Sequence, residues 1–186
     1  SFPSVTGSDI DTPSLTVDLE GQSWTHRGEW NTGTGQYNTW GPSAASECFG
    51  KTLVGDRTTG TIWQLDPTVS TDRSGNGIRR LRQAPGLTDE HRRHPLDQLE
   101  FYMDVGVGTQ SGQGADPQVI LQMSQDGGIT FGNQRQAGLG RVGQYRKRVF
   151  FTRLGAPADF VARAVWSDPV PVRAHGAWLN NPEKAA

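Results

Sequence analysis

Cysteine is almost absent from this chain of 186 residues, which contains Cys48 alone. A single thiol cannot form an intrachain disulfide, so a small secreted scaffold held by disulfides is excluded, and assembly inside a cell is the simpler expectation. Long apolar runs are also missing. No stretch approaches the ~20 residues of a membrane-spanning helix, and no basic start leads into the apolar segment of a signal peptide. We therefore expect no membrane partner.

Lysine is scarce as well. Of the 18 basic residues only Lys51, Lys147 and Lys184 are lysines, which leaves 15 arginines. The formal net charge of -1 gives the chain as a whole no attraction to nucleic acid or to an acidic membrane. Arginine makes bidentate contacts with carboxylates and phosphates, so the bias suits protein or phosphate interfaces. A GC-rich genome would produce the same bias.

Apolar residues make up only 33% of the sequence, whereas glycine (24) and proline (11) are abundant. This composition disfavours long helices and predicts an all-β chain of short strands joined by tight turns. We expect one domain over residues 1–179, followed by a flexible C-terminal tail over residues 180–186. The sequence opens at Ser1 without a methionine, which suggests a processed product, an excised domain or a fragment of a longer protein.

One turn motif, SQDGGITF at residues 124–131, fits the Asp-box pattern Ser-x-Asp-x-Gly-x-Thr-aromatic found in β-propeller blades. An apolar run leads into it, and Asp-Gly is a strong hairpin signal. We expect the aspartate to accept backbone N–H bonds, the serine and threonine to tie two strands together, and the aromatic ring to be buried. An ordinary Asp-Gly turn is the alternative. The five defining residues are Ser124, Asp126, Gly128, Thr130 and Phe131.

Other patterns place strands and loops along the chain. Residues 51–55 and 61–66 flank a glycine-containing loop and predict a hairpin. The clearest alternation runs from Leu99 to Val107, where the odd-numbered residues are apolar and share one face, and Glu100, Tyr102 and Asp104 share the other. Further strands are predicted at residues 15–19, 148–153, 160–167 and 170–178, and a surface loop at residues 31–46.

Three aromatic residues, Trp24, Trp63 and Tyr102, are each separated by 39 positions. This spacing is close to the ~40–50 residues of a four-stranded propeller blade. At that length the chain supplies about four blades, fewer than most closed propellers contain. Because no motif repeats at each of the three sites, coincidence is the favoured explanation of the spacing. The turn motif predicts a β-propeller or partial propeller of antiparallel four-stranded blades.

Several motifs follow one another along the chain. In the second half they are DPQVILQM (116–123), LGRVGQYRKRV (139–149), RLG (153–155) and VWSDPV (165–170). Upstream they are FGKTLVGDR (49–57), GTIWQLD (60–66) and RRLR (79–82). In this order the motifs resemble the packaged-DNA stabilisation protein of short-tailed phages, also called the tail accessory or tail hub protein. The resemblance covers most of the chain and corresponds to the C-terminal portion of longer proteins.

The resemblance implies a virion structural protein built as a β-propeller, which attaches below the portal ring after DNA packaging, helps to retain the genome and holds the tail needle. The implied partners are portal or adaptor ring proteins and the tail needle, with several copies in a ring and indirect proximity to packaged DNA. The implied location is the tail of the virion, assembled in the host cytoplasm. We expect no enzyme activity, catalytic residue, metal or cofactor.

Two patterns that could carry chemistry are weak. GLGRVG (138–143) satisfies Gly-x-Gly-x-x-Gly, but residues 144–151 after it predict a strand where a dinucleotide site needs a helix. His91 and His94 lie three positions apart without a third ligand of suitable spacing. We therefore expect a solvated loop there and not a zinc site.

Two other functions remain as alternatives. A sialidase-like glycoside hydrolase would also carry Asp boxes, but it needs a cluster of arginines and a tyrosine nucleophile supported by a glutamate. The tyrosines of this chain are Tyr37, Tyr102 and Tyr145. A carbohydrate-binding propeller module would use Trp30, Tyr37 and Trp40 as stacking surfaces, although such rings more often pack locally against a sheet.

Two basic groups are candidates for contact with a partner or with DNA. The first comprises Arg79, Arg80, Arg82, Arg92 and Arg93, and the second comprises Arg141, Arg146, Lys147 and Arg148, with Arg153 nearby. Asp89, Glu90 and Asp97 dilute the charge of the first group. We expect salt-bridged arginines at a protein interface in preference to direct contact with DNA.

Overall fold

The fold consists of β-strands. The structure is a computed structural model, and it describes residues 14–18, 23–88, 92–93 and 95–180. None of these residues belongs to a helix that could cross a membrane. The strands are β1 (Ser14–Asp18), β2 (Ser23–Asn31), β3 (Gln36–Thr39), β4 (Pro42–Cys48), β5 (Lys51–Asp56), β6 (Ile62–Leu65), β7 (Arg80–Gln83), β8 (Leu87–Thr88), β9 (Gln98–Met103), β10 (Gln118–Ser124), β11 (Arg135–Gly138), β12 (Val149–Thr152), β13 (Asp159–Trp166) and β14 (Ala174–Asn180). They pair in antiparallel fashion, which confirms the all-β prediction.

The chain divides into two compact units, residues 1–72 and residues 73–186. Together they cover the span that the sequence predicts as one domain, and whether they fold as one stays a prediction. Asn180, the first residue of the predicted tail, ends β14, and residues 181–186 lie outside the described residues.

The first unit contains two three-stranded sheets whose strands follow chain order, β1-β2-β3 and β4-β5-β6. Asp56 ends β5 and accepts hydrogen bonds from the Thr58 N–H at 2.8 Å and the Thr58 hydroxyl at 2.9 Å, which closes the turn towards β6. The register of β5 with β6 confirms the hairpin predicted over residues 51–66. Within the described part of this unit, Val54 is the one buried apolar side chain.

The surface loop predicted over residues 31–46 is wrong, because β3 and most of β4 lie within it. A tight turn explains the difference. The Asn31 side-chain oxygen accepts hydrogen bonds from the N–H groups of Gly33 at 2.9 Å and Thr34 at 3.2 Å, and Gly35 takes a φ of 67°. The chain therefore reverses and pairs β3 with β2. Polar residues form these strands because pairing satisfies the backbone groups, whatever the side chains are.

The second unit is a β-sandwich, in which two antiparallel sheets share one apolar core. One sheet has the order β11-β10-β13-β7, with β8 also paired to β13, and the other has the order β12-β9-β14. Alternate residues of the central strands face the opposite sheet, and the core includes Leu99 and Met103 of β9, Leu121 of β10, and Phe160 and Trp166 of β13. Face-to-face packing buries the inner face of both sheets.

The alternation predicted from Leu99 to Val107 is confirmed as far as Met103, where β9 ends. Gly106 turns the chain with a φ of 74°, so the ladder cannot continue. Val105 and Val107 still pack against the core from irregular backbone. The apolar pattern therefore identified buried residues correctly but overestimated the length of the strand.

Among the other strands of the second unit, some predictions are confirmed, one differs in its bounds, and three strands were not predicted. The strands predicted at residues 148–153 and 160–167 are confirmed as β12 and β13. Val170 and Val172 are buried, although β14 begins only at Ala174. Sequence analysis missed β7, β8 and β11, because their short, polar or exposed residues lack an alternating apolar pattern.

The β-propeller prediction is not confirmed. The described strands form four separate sheets, and none of these sheets closes on itself. The three equally spaced aromatic residues do not occupy equivalent places, because Trp24 and Tyr102 lie on central strands of their sheets and Trp63 lies on the edge strand β6. Their spacing therefore does not mark a repeated blade.

Candidate functional site

The turn that follows β10 is held by side chains of residues 124–130. Asp126 accepts hydrogen bonds from the Thr130 N–H, at 2.9 and 3.0 Å to its two oxygens, and from the hydroxyls of Thr130 and Ser124. The Ser124 hydroxyl oxygen accepts a hydrogen bond from the Gly128 N–H at 2.8 Å. Gly127 and Gly128 take φ values of 72° and 96°, which larger residues disfavour. One carboxylate and one hydroxyl thus organise the whole turn.

These contacts lower the pKa of Asp126. The Ser124 hydroxyl contributes most, followed by the hydroxyl and the N–H of Thr130, because each donates to the charged carboxylate. The aspartate accepts the backbone N–H of Thr130, four residues on, and a backbone hydrogen bond from Ile129, three residues on, also lowers its pKa. The Asp-box assignment itself stays a prediction, because the same contacts would hold an ordinary Asp-Gly turn.

Phe131, at the end of this turn, is half-buried and not fully buried as expected. The guanidinium carbon of Arg163 lies 3.5 Å from the centroid of its ring, a cation–π contact that keeps the ring near the surface. Arg163 also donates to the Gln83 side chain at 2.9 and 3.1 Å, which links β13 to β7. A Cβ atom at Gly128 would lie 3.8 Å from a Val161 methyl group, so the turn lies close to the outer face of β13. The turn therefore covers the outer side of β13.

The second basic group lies on the loop of residues 139–148 between β11 and β12, which is buried at Leu139 and Gly140 and exposed from Arg141 onwards. Gly106 anchors this loop, because its N–H donates to the Leu139 carbonyl at 3.1 Å and its own carbonyl accepts the Gly143 N–H at 3.3 Å. A Cβ atom at Gly106 would lie only 2.8 Å from the Tyr145 ring. The loop exposes Arg141, Arg146, Lys147 and Arg148.

Two of these four cations already have carboxylate partners. Arg148 donates from Nε to Glu100 Oε1 at 2.8 Å and from Nη2 to Oε2, a bidentate pair that lowers the pKa of Glu100 and raises that of Arg148. Arg141 Nε lies 3.8 Å from Asp116 Oδ2, an exposed pair that contributes little stability. Arg146 and Lys147 have no carboxylate partner in the part of the chain that the structure describes.

An exposed aromatic patch, which sequence analysis did not identify as a site, lies beside the loop on the outer face of the β12-β9-β14 sheet. It comprises Tyr102, Phe150 and Trp178, whose side chains are 58%, 46% and 54% exposed. In the strand register, Glu100 of β9 lies opposite Phe150 of β12 on one side and opposite Trp178 of β14 on the other. Both rings therefore lie in one row across the sheet. The Arg148 guanidinium carbon lies 5.9 Å from the Phe150 ring centroid, which connects the patch with the basic loop.

The first basic group is divided between β7 and the segments around it. Arg80 is half-buried and donates from Nη1 to the Val170 carbonyl at 3.2 Å, and burial lowers its pKa. Arg82 is exposed on the same strand. Arg79 directly precedes β7, and Arg92 and Arg93 are exposed after β8. Asp89 and Glu90, which were expected to dilute this group, lie outside the described residues.

Of the two weak catalytic patterns, only the glycine pattern lies among the residues that the structure describes. Residues 138–143 lead from β11 into the exposed loop, and the next described element is a strand, β12, so the helix of a dinucleotide site does not follow. The strand predicted over residues 144–151 begins only at Val149. Among the residues that the structure describes, no group of three or more His, Cys, Asp and Glu side chains could hold a metal ion. His91 and His94 lie outside that part of the chain.

The aromatic residues of the carbohydrate-binding alternative pack locally. Trp30 and Tyr37 pair across β2 and β3, and their rings meet edge-on with centroids 4.9 Å apart. The Arg27 guanidinium carbon lies 5.0 Å from the Trp40 ring centroid. All three rings are half-buried. They offer little of the flat exposed surface on which a sugar ring stacks.

Residues 79–179, more than half of the chain, match the model of a family described as Bacteriophage P22 Gp10, beta-sandwich. The chain belongs to this family. A comparison with curated proteins found no match.

Family membership identifies the chain as a structural protein of the phage virion tail. The matched residues begin directly before β7 and end within β14, so the family domain coincides with the sandwich of the second unit. The resemblance seen in the sequence motifs is thereby confirmed at the level of a phage tail family. The basic loop and the aromatic patch together form the candidate site of this domain.

Proposed function

We propose that this chain is a subunit of the tail hub that connects the head and the tail of a short-tailed phage. The family match over residues 79–179 carries the proposal. In this role several copies attach as a ring below the portal, through portal or adaptor proteins, help to retain packaged DNA and provide a platform for the tail needle. Assembly takes place in the host cytoplasm, before the copies become part of the virion.

The surface that best suits the ring contact is the loop over residues 139–148 together with the aromatic patch. Tyrosine, tryptophan and arginine are enriched among the residues that dominate binding energy at protein interfaces. The bidentate pair of Arg148 with Glu100 already orders one edge of this surface, so less side-chain entropy is lost on binding. Arg146 and Lys147 remain to pair with carboxylates of a partner.

Contact with a protein is favoured over direct contact with DNA. Arg148 and Arg141 face carboxylates of the chain, and Arg80 donates to a backbone carbonyl. A phosphate group would have to replace these partners. Retention of a nucleic acid depends on several cations that neutralise phosphates at once. We therefore expect weak binding of isolated duplex DNA, lost as salt is raised to the physiological range.

The test of the hub role is binding of the folded chain to purified portal and adaptor rings, observed by negative-stain imaging and sedimentation. We expect a monomer or small oligomer alone and several copies on the ring, because a preformed ring presents repeated sites that raise the effective concentration of each copy. Combining Arg146→Glu with Lys147→Glu should weaken binding roughly tenfold or more without changing the circular dichroism spectrum.

Arg57→Glu is the matched control, since Arg57 is an exposed arginine of the first unit. This variant should bind as the unchanged chain does. Reversal of Arg148 alone is unsuitable, because it would place a carboxylate beside Glu100, whereas Arg148→Glu combined with Glu100→Arg keeps an ion pair. A folded chain that binds no portal or adaptor ring, yet cleaves a fluorogenic glycoside, would overturn the assignment.

No observation favours the glycoside hydrolase or the carbohydrate-binding module. The β-propeller stays open as a proposal for the first unit, because its two sheets follow chain order as the strands of propeller blades do. The Asp-box assignment of residues 124–131 stays a proposal as well. A structure of the chain bound to its ring would test whether sheets of the first unit are arranged radially around an axis.

A further inference from the structure

An apolar cleft of about 340 Å³ opens on one side of the sandwich. It lies between β7 and β14, each of which is the last strand of its sheet. Its floor is formed by core side chains such as Met103, Phe160 and Ala162, and its walls by residues of the two edge strands. The core of the sandwich is therefore accessible between the two edge strands. This is the place where a further strand would pair with β14 and extend the smaller sheet.

The backbone of β14, not only its side chains, faces this cleft. Ala174, His175, Gly176 and Ala177 all line it, although consecutive residues of a strand point to opposite faces. The register with β9 shifts between Ala174 and Gly176, which breaks the alternation there. Gly176 has no side chain and yet lines the cleft next to Ala177, so the backbone edge of the strand borders the cleft. β14 pairs with β9 on its other side, so this edge presents N–H and C=O groups with no strand beside them among the described residues.

Trp166 is one of the residues that line the cleft, and it carries a buried polar group. Its side chain is only 4% exposed, and its Nε1–H, which is closed to solvent, has no hydrogen-bond partner in the described part of the chain. A buried donor without an acceptor is costly and therefore rare in folded proteins. The indole N–H is therefore a sensitive reporter of an occupant that packs against Trp166.

Arg82 supplies the charge of the cleft. It lies on β7 at the wall of the cleft, is exposed, and has no ion pair with any carboxylate that the structure describes. A free cation beside an apolar floor is complementary to a carboxylate on an otherwise apolar occupant. A cationic occupant would be repelled from this wall.

We propose that this cleft is a docking site for one extended segment of a partner subunit, apolar at alternate positions and carrying one carboxylate. The segment pairs its backbone with the free edge of β14, places its apolar side chains on the core, and sets its carboxylate against Arg82. This is strand addition, in which backbone hydrogen bonds give affinity and side-chain pockets give specificity. The inference deepens the proposed hub role, on which the identity of the partner as a virion subunit rests.

The test tethers such a segment to the full chain. A short Gly/Ser linker after Ala186 would carry the segment TVTVDVT. In two further versions, the aspartate would exchange places with the valine before it or with the valine after it. Tethering raises the effective concentration to roughly the millimolar range, so a weak intrinsic affinity cannot hide binding. We expect at least one version to slow hydrogen exchange of the β14 amides roughly tenfold or more. It should also shift the Trp166 indole N–H signal, which Trp166→Phe would identify.

The matched control exchanges the charge of the tethered segment with the charge of Arg82. The version with lysine in place of aspartate should protect β14 much less, and protection should return when that version is combined with Arg82→Glu. Arg82→Gln gives a neutral comparison. Equal protection by the aspartate and lysine versions would contradict the role of Arg82.

If none of the three tethered versions slows hydrogen exchange of the β14 amides, the docking site itself is overturned. A shift of the Trp166 signal by decanoate, with β14 unprotected by every tethered segment, would instead show a pocket for an amphiphile. Failure of the tethered segments would leave ring binding through the basic loop untouched, so the two proposals can fail separately.

Discussion

At the scale of single residues, the turn after β10 depends on one carboxylate, which is exposed to solvent yet accepts hydrogen bonds through both of its oxygens. Asp126 accepts from the Thr130 N–H and hydroxyl and from the Ser124 hydroxyl, while two glycines supply the backbone conformation. The sequence predicted these participants because all lie within eight consecutive positions. It did not predict Arg163 against Phe131, since β13 is distant in sequence.

Replacement of Asp126 by alanine should lower the Tm by a few degrees, because three donors lose their acceptor. Differential scanning calorimetry provides the measurement. Asp116→Ala is the control, since it removes an exposed carboxylate 3.8 Å from Arg141 and should change the Tm by about a degree or less. An unchanged Tm for Asp126→Ala would show that the turn does not depend on its carboxylate.

Acid should destabilise the fold through the same kind of group. Hydrogen bonds hold the pKa values of Asp56 and Asp126 well below their ordinary 3.8. A carboxyl whose pKa is lower in the folded state stabilises the fold above its unfolded pKa, and this contribution is lost as the pH falls through the folded pKa. The Tm should therefore hold steady from pH 7 to 5 and decline below about pH 4.

Asp126→Asn, which cannot titrate, tests this pH dependence. Its Tm should be lower at neutral pH, and its decline below about pH 4 should be smaller than that of the unchanged chain. Thermal unfolding followed by circular dichroism over pH 2 to 7 measures both. Parallel curves for the two proteins would mean that Asp126 has the same pKa in the folded and unfolded states.

At the scale of elements, β7 is joined to the sandwich by a close approach of backbones. A Cβ atom at Gly77, just before the strand, would lie 2.0 Å from the Ser167 carbonyl oxygen and 3.3 Å from the Pro169 nitrogen. Only glycine fits there without displacing the segment after β13. The reason for the glycine lies in residues about ninety positions away in the sequence.

Gly77→Ala should destabilise the second unit by about 1–3 kcal/mol, because the methyl group has to displace backbone. Urea unfolding followed by tryptophan fluorescence measures the change. Gly86→Ala is the matched control, since its added Cβ would lie 3.8 Å from a Val161 methyl group, an ordinary contact. Equal effects of the two substitutions would contradict the close approach at Gly77.

At the scale of the whole molecule, apolar burial is unevenly distributed between the two units. Among the described residues, Val54 is the buried apolar side chain of the first unit, whereas the second unit contains a continuous core from several strands. Stability follows the density of buried apolar contacts, so the two units should open at different free energies.

Hydrogen exchange measured by mass spectrometry should show this difference. We expect peptides from β9, β10 and β13 to exchange roughly tenfold or more slowly than peptides from β2 to β6 in the isolated chain. The same measurement on the chain bound to the ring provides an internal comparison. Peptides that contact the ring should exchange more slowly in the bound chain than in the isolated chain. Uniform protection along the isolated chain would show that the two units unfold together.

The sequence by itself determined the all-β class, the turns at Asp56 and Asp126, and which residues of β9 are buried. Each of these depends on chemistry within a few consecutive positions. The motifs of the second half also identified the phage tail family. The choice of a face-to-face sandwich over radial blades depends on β13 beside β10 and β14 beside β9, strands far apart in sequence. The aromatic patch and the cleft arise only from those pairings, so the tertiary structure alone decided them.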